Sequence, residues 1–189
     1  MAKKYLKGFS NLGYRPVTKN DSDGYTVDDD KYTAIPGAQS CSPNDNRTDY
    51  TIPADDGTWD SGSEWNYTDL DITVAETELK VMAELVGADY NEETFVEDEG
   101  TFDDAPEVAL SFSALRADGG YRLYRYWAAR CTGYSVTHNT KGQNTDVQAY
   151  TFHFRCTPRK DNGKIRATKD IAKGEALTWI KSFATQSGS

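Results

Sequence analysis

With 189 residues, 37% hydrophobic and 12% aromatic including 12 tyrosines, the chain is long enough for one domain with a real core and too rich in aromatics for disorder. Its formal charge of −9 argues against a free nucleic-acid binder, which is more often basic overall. No stretch approaches the roughly 18 apolar residues of a membrane span and no apolar run follows Met1-Ala-Lys-Lys, so the expectation is synthesis and residence in the cytosol.

Residues 1–10 read as an N-terminal arm. Asn11 to Thr18 predicts a strand that Pro16, lacking an N–H, confines to a sheet edge or a strand end. Asn20-Asp-Ser-Asp-Gly24 is a turn, and Tyr25 to Ala34 is a strand pair or an irregular extended segment closing at Ile35-Pro36-Gly37. Its three adjacent acids, Asp28 to Asp30, lack the spacing of a calcium loop and read as solvated. Residues 38–64 form a run of Ser, Asn, Asp, Thr, Pro and Gly with Cys41, Tyr50, Ile52 and Trp59 as scattered anchors. That reads as a loop too long for a connection inside a compact domain, and its aromatics suggest that it orders against something, such as another subunit. Asn46-Arg-Thr48 and Asn66-Tyr-Thr68 match the glycosylation pattern and are read as chance, given no secretion signal.

From Trp65 to Val74 the apolar Leu70, Ile72 and Val74 alternate with Asp69, Asp71 and Thr73, predicting a half-buried strand with an acidic outer face. Glu76 to Val86 predicts a helix with Leu79, Met82, Leu85 and Val86 on one stripe, acids in its first turn and Gly87 as its stop. Asp89 to Asp104 reads as a short edge strand and an acidic loop carrying Phe95, Val96 and Phe102. Ala105 to Thr132 is the most secure local prediction, a hairpin turning at Asp118-Gly119-Gly120. Val108, Leu110 and Phe112 mark the core face of its first strand. The second carries Tyr121, Leu123 and Trp127 on one side and Tyr124, Tyr126 and Ala128 on the other, so it needs cover on both faces. After a polar loop from Thr137 to Asp146, Val147 to Thr157 is a clean strand with Tyr150, Phe152, Phe154 and Cys156 facing one way. Lys164 to Asp170 is a shorter basic strand. Ala176 to Phe183 fits a strand or a helix, and residues 184–189 read as a flexible C-terminus.

Charge is unevenly spread: residues 1–68 hold 11 acids and 7 bases, residues 69–107 hold 14 acids against Lys80 alone, and residues 108–189 hold 5 acids and 13 bases. Such segregation reads as internal neutralisation across one fold or as complementary surfaces meeting between copies. Cys41, Cys131 and Cys156 are an odd number without metal or redox spacing and read as buried free thiols. His138 and His153 belong to no metal-ligand or nucleophile spacing, Ser10 lacks the surroundings of a nucleophile elbow, and no phosphate-binding Gly-rich loop occurs. The expectation is therefore no catalytic residues, no metal and no cofactor.

The order of features is more specific than any one of them. Gly8-Phe-Ser-Asn-Leu-Gly-Tyr14, Ile35-Pro-Gly-Ala38, Leu70-Asp-Ile-Thr-Val-Ala-Glu76 running to Glu84-Leu-Val-Gly87, Ala105-Pro-Glu-Val-Ala-Leu-Ser-Phe112, Asp118-Gly-Gly-Tyr-Arg122 and the strand Tyr150 to Arg155 follow one another over roughly Gly8 to Asp170. In this the chain resembles the major tail proteins, or tail tube proteins, of long non-contractile-tailed bacteriophages, the phi13-type family. The resemblance implies a mainly β (α+β) fold, a β-sandwich or barrel with one flanking α-helix like the type VI secretion tube. It also implies a single tail tube domain over residues 1–189 that closes into a hexameric ring and stacks head-to-tail into the hollow tube for DNA ejection. The partners would be further copies of itself, the tape measure protein, the tail terminator and the tail-tip proteins; the protein would be made in the bacterial cytoplasm and reside in the virion tail. Phage DNA would pass without specific binding. On that footing Tyr50, Ile52 and Trp59 are expected at contacts between rings, Asp69, Asp71 and Glu107 are expected to face the lumen, and Leu70, Ile72, Leu79, Met82, Leu85, Val108, Leu110, Phe112, Phe152 and Phe154 form the core. Two rivals are a carbohydrate-binding or adhesin β-sandwich using Trp59, Trp65, Tyr124 and Tyr126, and a terminator or adaptor ring on the same fold.

Overall fold

A computed structural model describes residues 5–54, 57–75, 77–91, 95–97, 105–136, 138, 149–175 and 177–181. Its strands are β1 (Leu6–Asp21), β2 (Gly24–Val27), β3 (Thr33–Ala34), β4 (Ala38–Ala54), β5 (Gly57–Val74), β6 (Asp89–Asn91), β7 (Phe95–Glu97), β8 (Glu107–Arg116), β9 (Tyr121–Val136), β10 (Tyr150–Thr157) and β11 (Arg166–Ile171). The helices are α1 (Leu79–Val86) and α2 (Thr178–Lys181). The protein is mainly β. One antiparallel sheet runs β2-β1-β8-β9-β10-β5-β4, with β3 beside β1 and β11 beside β9, while β6 and β7 pair separately. No described helix is long and apolar enough to cross a membrane.

The β8–β9 hairpin is the spine. Its turn is closed by Gly119 N–H donating to the Arg116 carbonyl and by Asp118 Oδ1 accepting from Gly120 N–H. Gly119 has φ 86°, and a Cβ on Gly120 would lie 2.4 Å from the Ile171 carbonyl, so neither position admits a larger residue without strain. β8 lines one side of β9 from Tyr121 to Arg130; the other side is shared by β11, over Tyr121–Tyr126, and β10, over Ala128–Val136.

Two register shifts in β9 explain how it serves more than one core. Between the pairs Leu110↔Tyr126 and Val108↔Ala129 the strand carries an extra residue, and Thr132 is a second one opposite the His153–Phe154 step. A bulge inverts the alternation that follows it. Tyr124 and Tyr126 thus face the principal core, Leu123 and Trp127 face away into two smaller clusters, and Ala129, Cys131 and Tyr134 return to the principal core.

That core holds Leu12 and Tyr14 of β1, Leu70, Ile72 and Val74 of β5, Val108, Leu110 and Phe112 of β8, Phe152, Phe154 and Cys156 of β10, and the inner face of α1. The predicted core residues Leu70, Ile72, Met82, Leu85, Val108, Leu110, Phe112, Phe152 and Phe154 are all buried. Leu79 is not: it is 51% exposed. The helix begins at Leu79 and not at Glu76, Glu78 is its N-cap, and no acid lies in its first turn. Helical side chains lean toward the N-terminus, so that of the first residue reaches past the start of the helix instead of over the sheet. Val81 and Ala83 are buried in its stead. The stop at Gly87, with φ 77° and its N–H donating to the Ala83 carbonyl, is as predicted.

Further differences concern strand lengths. β1 already begins at Leu6 inside the expected arm, and Pro16 is interior to it, at the point where pairing with β8 ends and pairing with β2 begins. Residues 38–54 and 57–64 are strand, not loop. β4 and β5 form one long hairpin, paired from Ala38↔Val74 to Ala54↔Gly57 with three register shifts. Where Ala176 to Phe183 fits a strand or a helix, the described residues Thr178–Lys181 form the single helical turn α2, held by Arg15 Nε donating to the Lys181 carbonyl at 2.6 Å and Arg125 Nε to the Trp179 carbonyl at 3.1 Å. Phe102, most of the loop from Thr137 to Asp146, and residues 184–189 lie outside the described residues.

Candidate assembly surfaces

Three regions bear on function: the distal hairpin, the outward sheet face beside it, and an apolar cleft at its root. β5 pairs with β10 only from Thr68 to Val74, so the β4–β5 hairpin beyond Asn46 and Tyr67 is a two-stranded ribbon. Polar cross-strand contacts hold its base, with Asn66 Nδ2 donating to Asn46 Oδ1 at 2.9 Å and to Thr48 Oγ1 at 2.7 Å. The guanidinium groups of Arg47 and Arg166 lie over the Trp65 ring, 4.9 and 4.6 Å from its centre. Toward the tip, Tyr50 pairs with Gly62 and its ring occupies the space that a side chain there would need. Ile52 pairs with Asp60, Pro53 with Thr58, and Trp59 is the unpaired extra residue between them. Tyr50, Ile52 and Trp59 are exposed at 47, 48 and 75%. The structure thus brings the three predicted contact residues together at the end of one ribbon.

Asp69 and Asp71 point outward from β5, as their alternation with Leu70 and Ile72 requires. Neither stands alone. Asp69 accepts from Arg155 Nε at 2.9 Å, and His153 Nδ1 donates to Asp71 Oδ1 at 2.6 Å. Cross-strand pairing continues from Arg155 to Arg130 and from Arg130 to Glu107, making one transverse row Asp69–Arg155–Arg130–Glu107. Glu107 is half-buried and accepts from Asn20 Nδ2 at 2.7 Å. The three predicted lumen acids therefore share a sheet face with two arginines that balance the row, a pattern that single-strand alternation does not show. Ion pairs this exposed contribute ~0–1 kcal/mol each and serve mainly register.

On the same face Ser135 Oγ lies 3.4 Å from His153 Nε2, completing a Ser–His–Asp series that sequence spacing did not reveal. Its Oγ–Nε2 separation exceeds the roughly 2.6–3.2 Å at which a base takes a nucleophile's proton. The row lies on open sheet away from either cleft described here and ties β5, β10 and β9 together. Among the described residues, no three His, Cys, Asp or Glu side chains gather as a metal site.

The cleft, of about 270 Å³, is lined by Leu6, Phe9, Cys41, Phe112, Tyr124 and Tyr126, with Arg166 at its wall. Phe112 stacks on Tyr124 at 5.0 Å and meets Phe9 edge-on at 5.1 Å. A shallower depression runs along Phe9 to Leu12 and Ala34 to Ala38. Of the four aromatics proposed as a sugar platform, Tyr126 is buried, Tyr124 and Trp65 are half-buried in ring contacts, and Trp59 stands apart at the tip. They do not form one exposed surface.

Burial pushes the Cys41 thiol from its usual 9.0 up to about 12 and Cys131 up to about 11; it also carries the Tyr126 hydroxyl from 10.0 to about 12. Cys156 is raised by the same cause. Since the unfolded chain gives up these protons first, their contribution to stability is complete below pH 9 and is lost as pH rises through about 11 to 12. We expect the denaturant midpoint at pH 10.5 to fall below that at pH 8, and a mutant with the three cysteines replaced by alanine to show a shallower fall when each protein is compared with itself. An unchanged midpoint in the wild type would contradict the burial of these groups.

The chain matches no known protein-family model, and no curated protein matches it.

Proposed function

We propose that the protein is a structural subunit that assembles with copies of itself into hexameric rings and stacks them into a hollow tube, the major tail tube of a non-contractile bacteriophage tail. The observation that carries this reading is the distal β4–β5 ribbon. A two-stranded hairpin is marginally stable alone in water, and this one is built of polar residues yet ends in Tyr50, Ile52 and Trp59. An exposed aromatic tip on a projecting arm is the form of an element that orders against a neighbour. The ring-and-stack geometry, the tape measure, terminator and tail-tip partners, DNA passage and residence in the virion tail come from the family resemblance and belong to the proposal.

The row Asp69–Arg155–Arg130–Glu107 narrows one part of it. If this face lines the bore, the wall is balanced in charge along that row, so it neither holds nor strongly repels a duplex. A terminator or adaptor would form one ring; a tube protein stacks many. Negative-stain electron microscopy of the purified protein, fresh and concentrated and with a tail-tip complex as initiator, separates these. Hollow tubes of uniform diameter are expected. Single rings under all these conditions would replace the tube reading with the adaptor one, and monomers throughout would overturn both.

A further inference from the structure

The exposed tip and the apolar cleft occupy opposite ends of the same hairpin. Cys41 and Pro43 of β4 line the cleft, while Ile52 and Trp59 stand at the tip. The nine steps from Pro43 to Ile52 span ~30 Å of extended chain, so the tip cannot reach the cleft of its own subunit. We propose that the cleft is the socket for this tip: the Trp59 side chain of one copy seats between Phe9, Phe112 and Tyr124 of the next. This deepens the stacking role given above and rests on it.

Size, chemistry and charge support the match. The cleft volume of about 270 Å³ exceeds the ~150 Å³ cavity that admits a benzene ring, and its walls offer three aromatic faces and edges to an indole. The segment from Thr48 to Glu64 contains Asp49, Asp55, Asp56, Asp60 and Glu64 and no basic residue. Arg166 stands in the cleft wall and the exposed Lys7 lies beside its lining residues Leu6 and Gly8. Arg166 is shared there with Asp45 at 3.4 Å, so the charge complementarity to the acidic tip rests on Lys7. Because the projecting and receiving surfaces differ and are offset along the hairpin, the contact is head-to-tail, the kind that propagates when rotation does not close it.

The test is directed cross-linking between copies. Thr58→Cys, which keeps Trp59, is placed in one copy, and Tyr5→Cys, exposed beside the socket, in the other. A short bismaleimide is added at neutral pH, where the raised thiol pKa of Cys41, which is half-buried and not fully buried as expected, and of buried Cys131 keeps the native background low. The expected result is a cross-link joining positions 58 and 5 only when both copies are mixed. Its yield should fall about tenfold or more with Trp59→Ala, a change at an exposed site that leaves the subunit folded, and likewise with Ala114→Trp, which fills the socket. Wild-type protein is imaged in parallel. Tubes without the cross-link would overturn the socket and leave the tube reading standing. A Trp59-dependent cross-link without tubes would keep the socket and remove the tube. A cross-link insensitive to Trp59→Ala would overturn the socket.

Discussion

Replacing residues 49–63 by Asn-Gly is expected to leave a folded subunit that forms no tubes. Thr48 and Glu64 are directly paired, so a two-residue turn joins them in the existing register, and Asn-Gly suits the left-handed backbone such a turn needs. The removed segment contributes none of the buried core residues, which on this hairpin begin at Leu70. Thermal stability should therefore change by no more than ~1 kcal/mol. Assembly should fail entirely, since Tyr50, Ile52 and Trp59 leave together. Circular dichroism and thermal melting report the fold, and electron microscopy under conditions where the wild type forms tubes reports assembly. Normal tubes from the shortened protein would remove the hairpin from the assembly mechanism; loss of the cooperative melt would show instead that the ribbon is part of the folding unit.

The second large effect is a contrast within α1. Leu85→Ala is expected to cost ~2–5 kcal/mol and Leu79→Ala under ~0.5 kcal/mol, although both leucines belong to the same predicted stripe. Leu85 is 1% exposed in the principal core, whereas Leu79 opens the helix at 51% exposure. Truncating Leu85 leaves a cavity that the surrounding Met82, Val86 and sheet residues only partly fill. Truncating Leu79 removes a side chain that water already reaches. Urea denaturation of the two variants measures both values. Equal losses would mean that the helix is packed from Glu76 as its periodicity suggests.

These two cases show where sequence reading succeeds and where it stops. Alternation in β8 and β10 identified Val108, Leu110, Phe112, Phe152 and Phe154: β10 buries one face, and β8, buried on both, carries its large apolar side chains on the principal-core face and small Ala109, Ser111 and Ser113 on the other. The distal ribbon has water on both faces, so Thr48 to Glu64 carries no alternation to detect, and its Pro, Gly and Asn content reads as loop. The bulges in β9 are similarly hidden, because inverted alternation in one strand looks like a strand with two apolar faces. Asp69, Asp71 and Glu107 were recognisable as an outward acidic set, but Arg155 and Arg130 join their row only through long-range register. The cleft was not legible: Phe112 and Tyr124 pair within the β8–β9 hairpin, but Phe9 of β1 and Cys41 of β4 join them only through long-range packing.

The prolines of β4 have a consequence of their own. This seventeen-residue strand pairs with β5 on one side and ends the sheet order on the other, and an outer side of that length would invite another chain to extend it. Pro43 and Pro53 have no N–H to offer, and on an edge strand the missing donor falls on the outer side. The free margin is thus interrupted twice, and indiscriminate sheet growth between crowded newly made chains is disfavoured. In the proposed assembly, copies would then recognise one another through side chains, and polymerisation would wait for a correctly placed neighbour and remain distinct from aggregation.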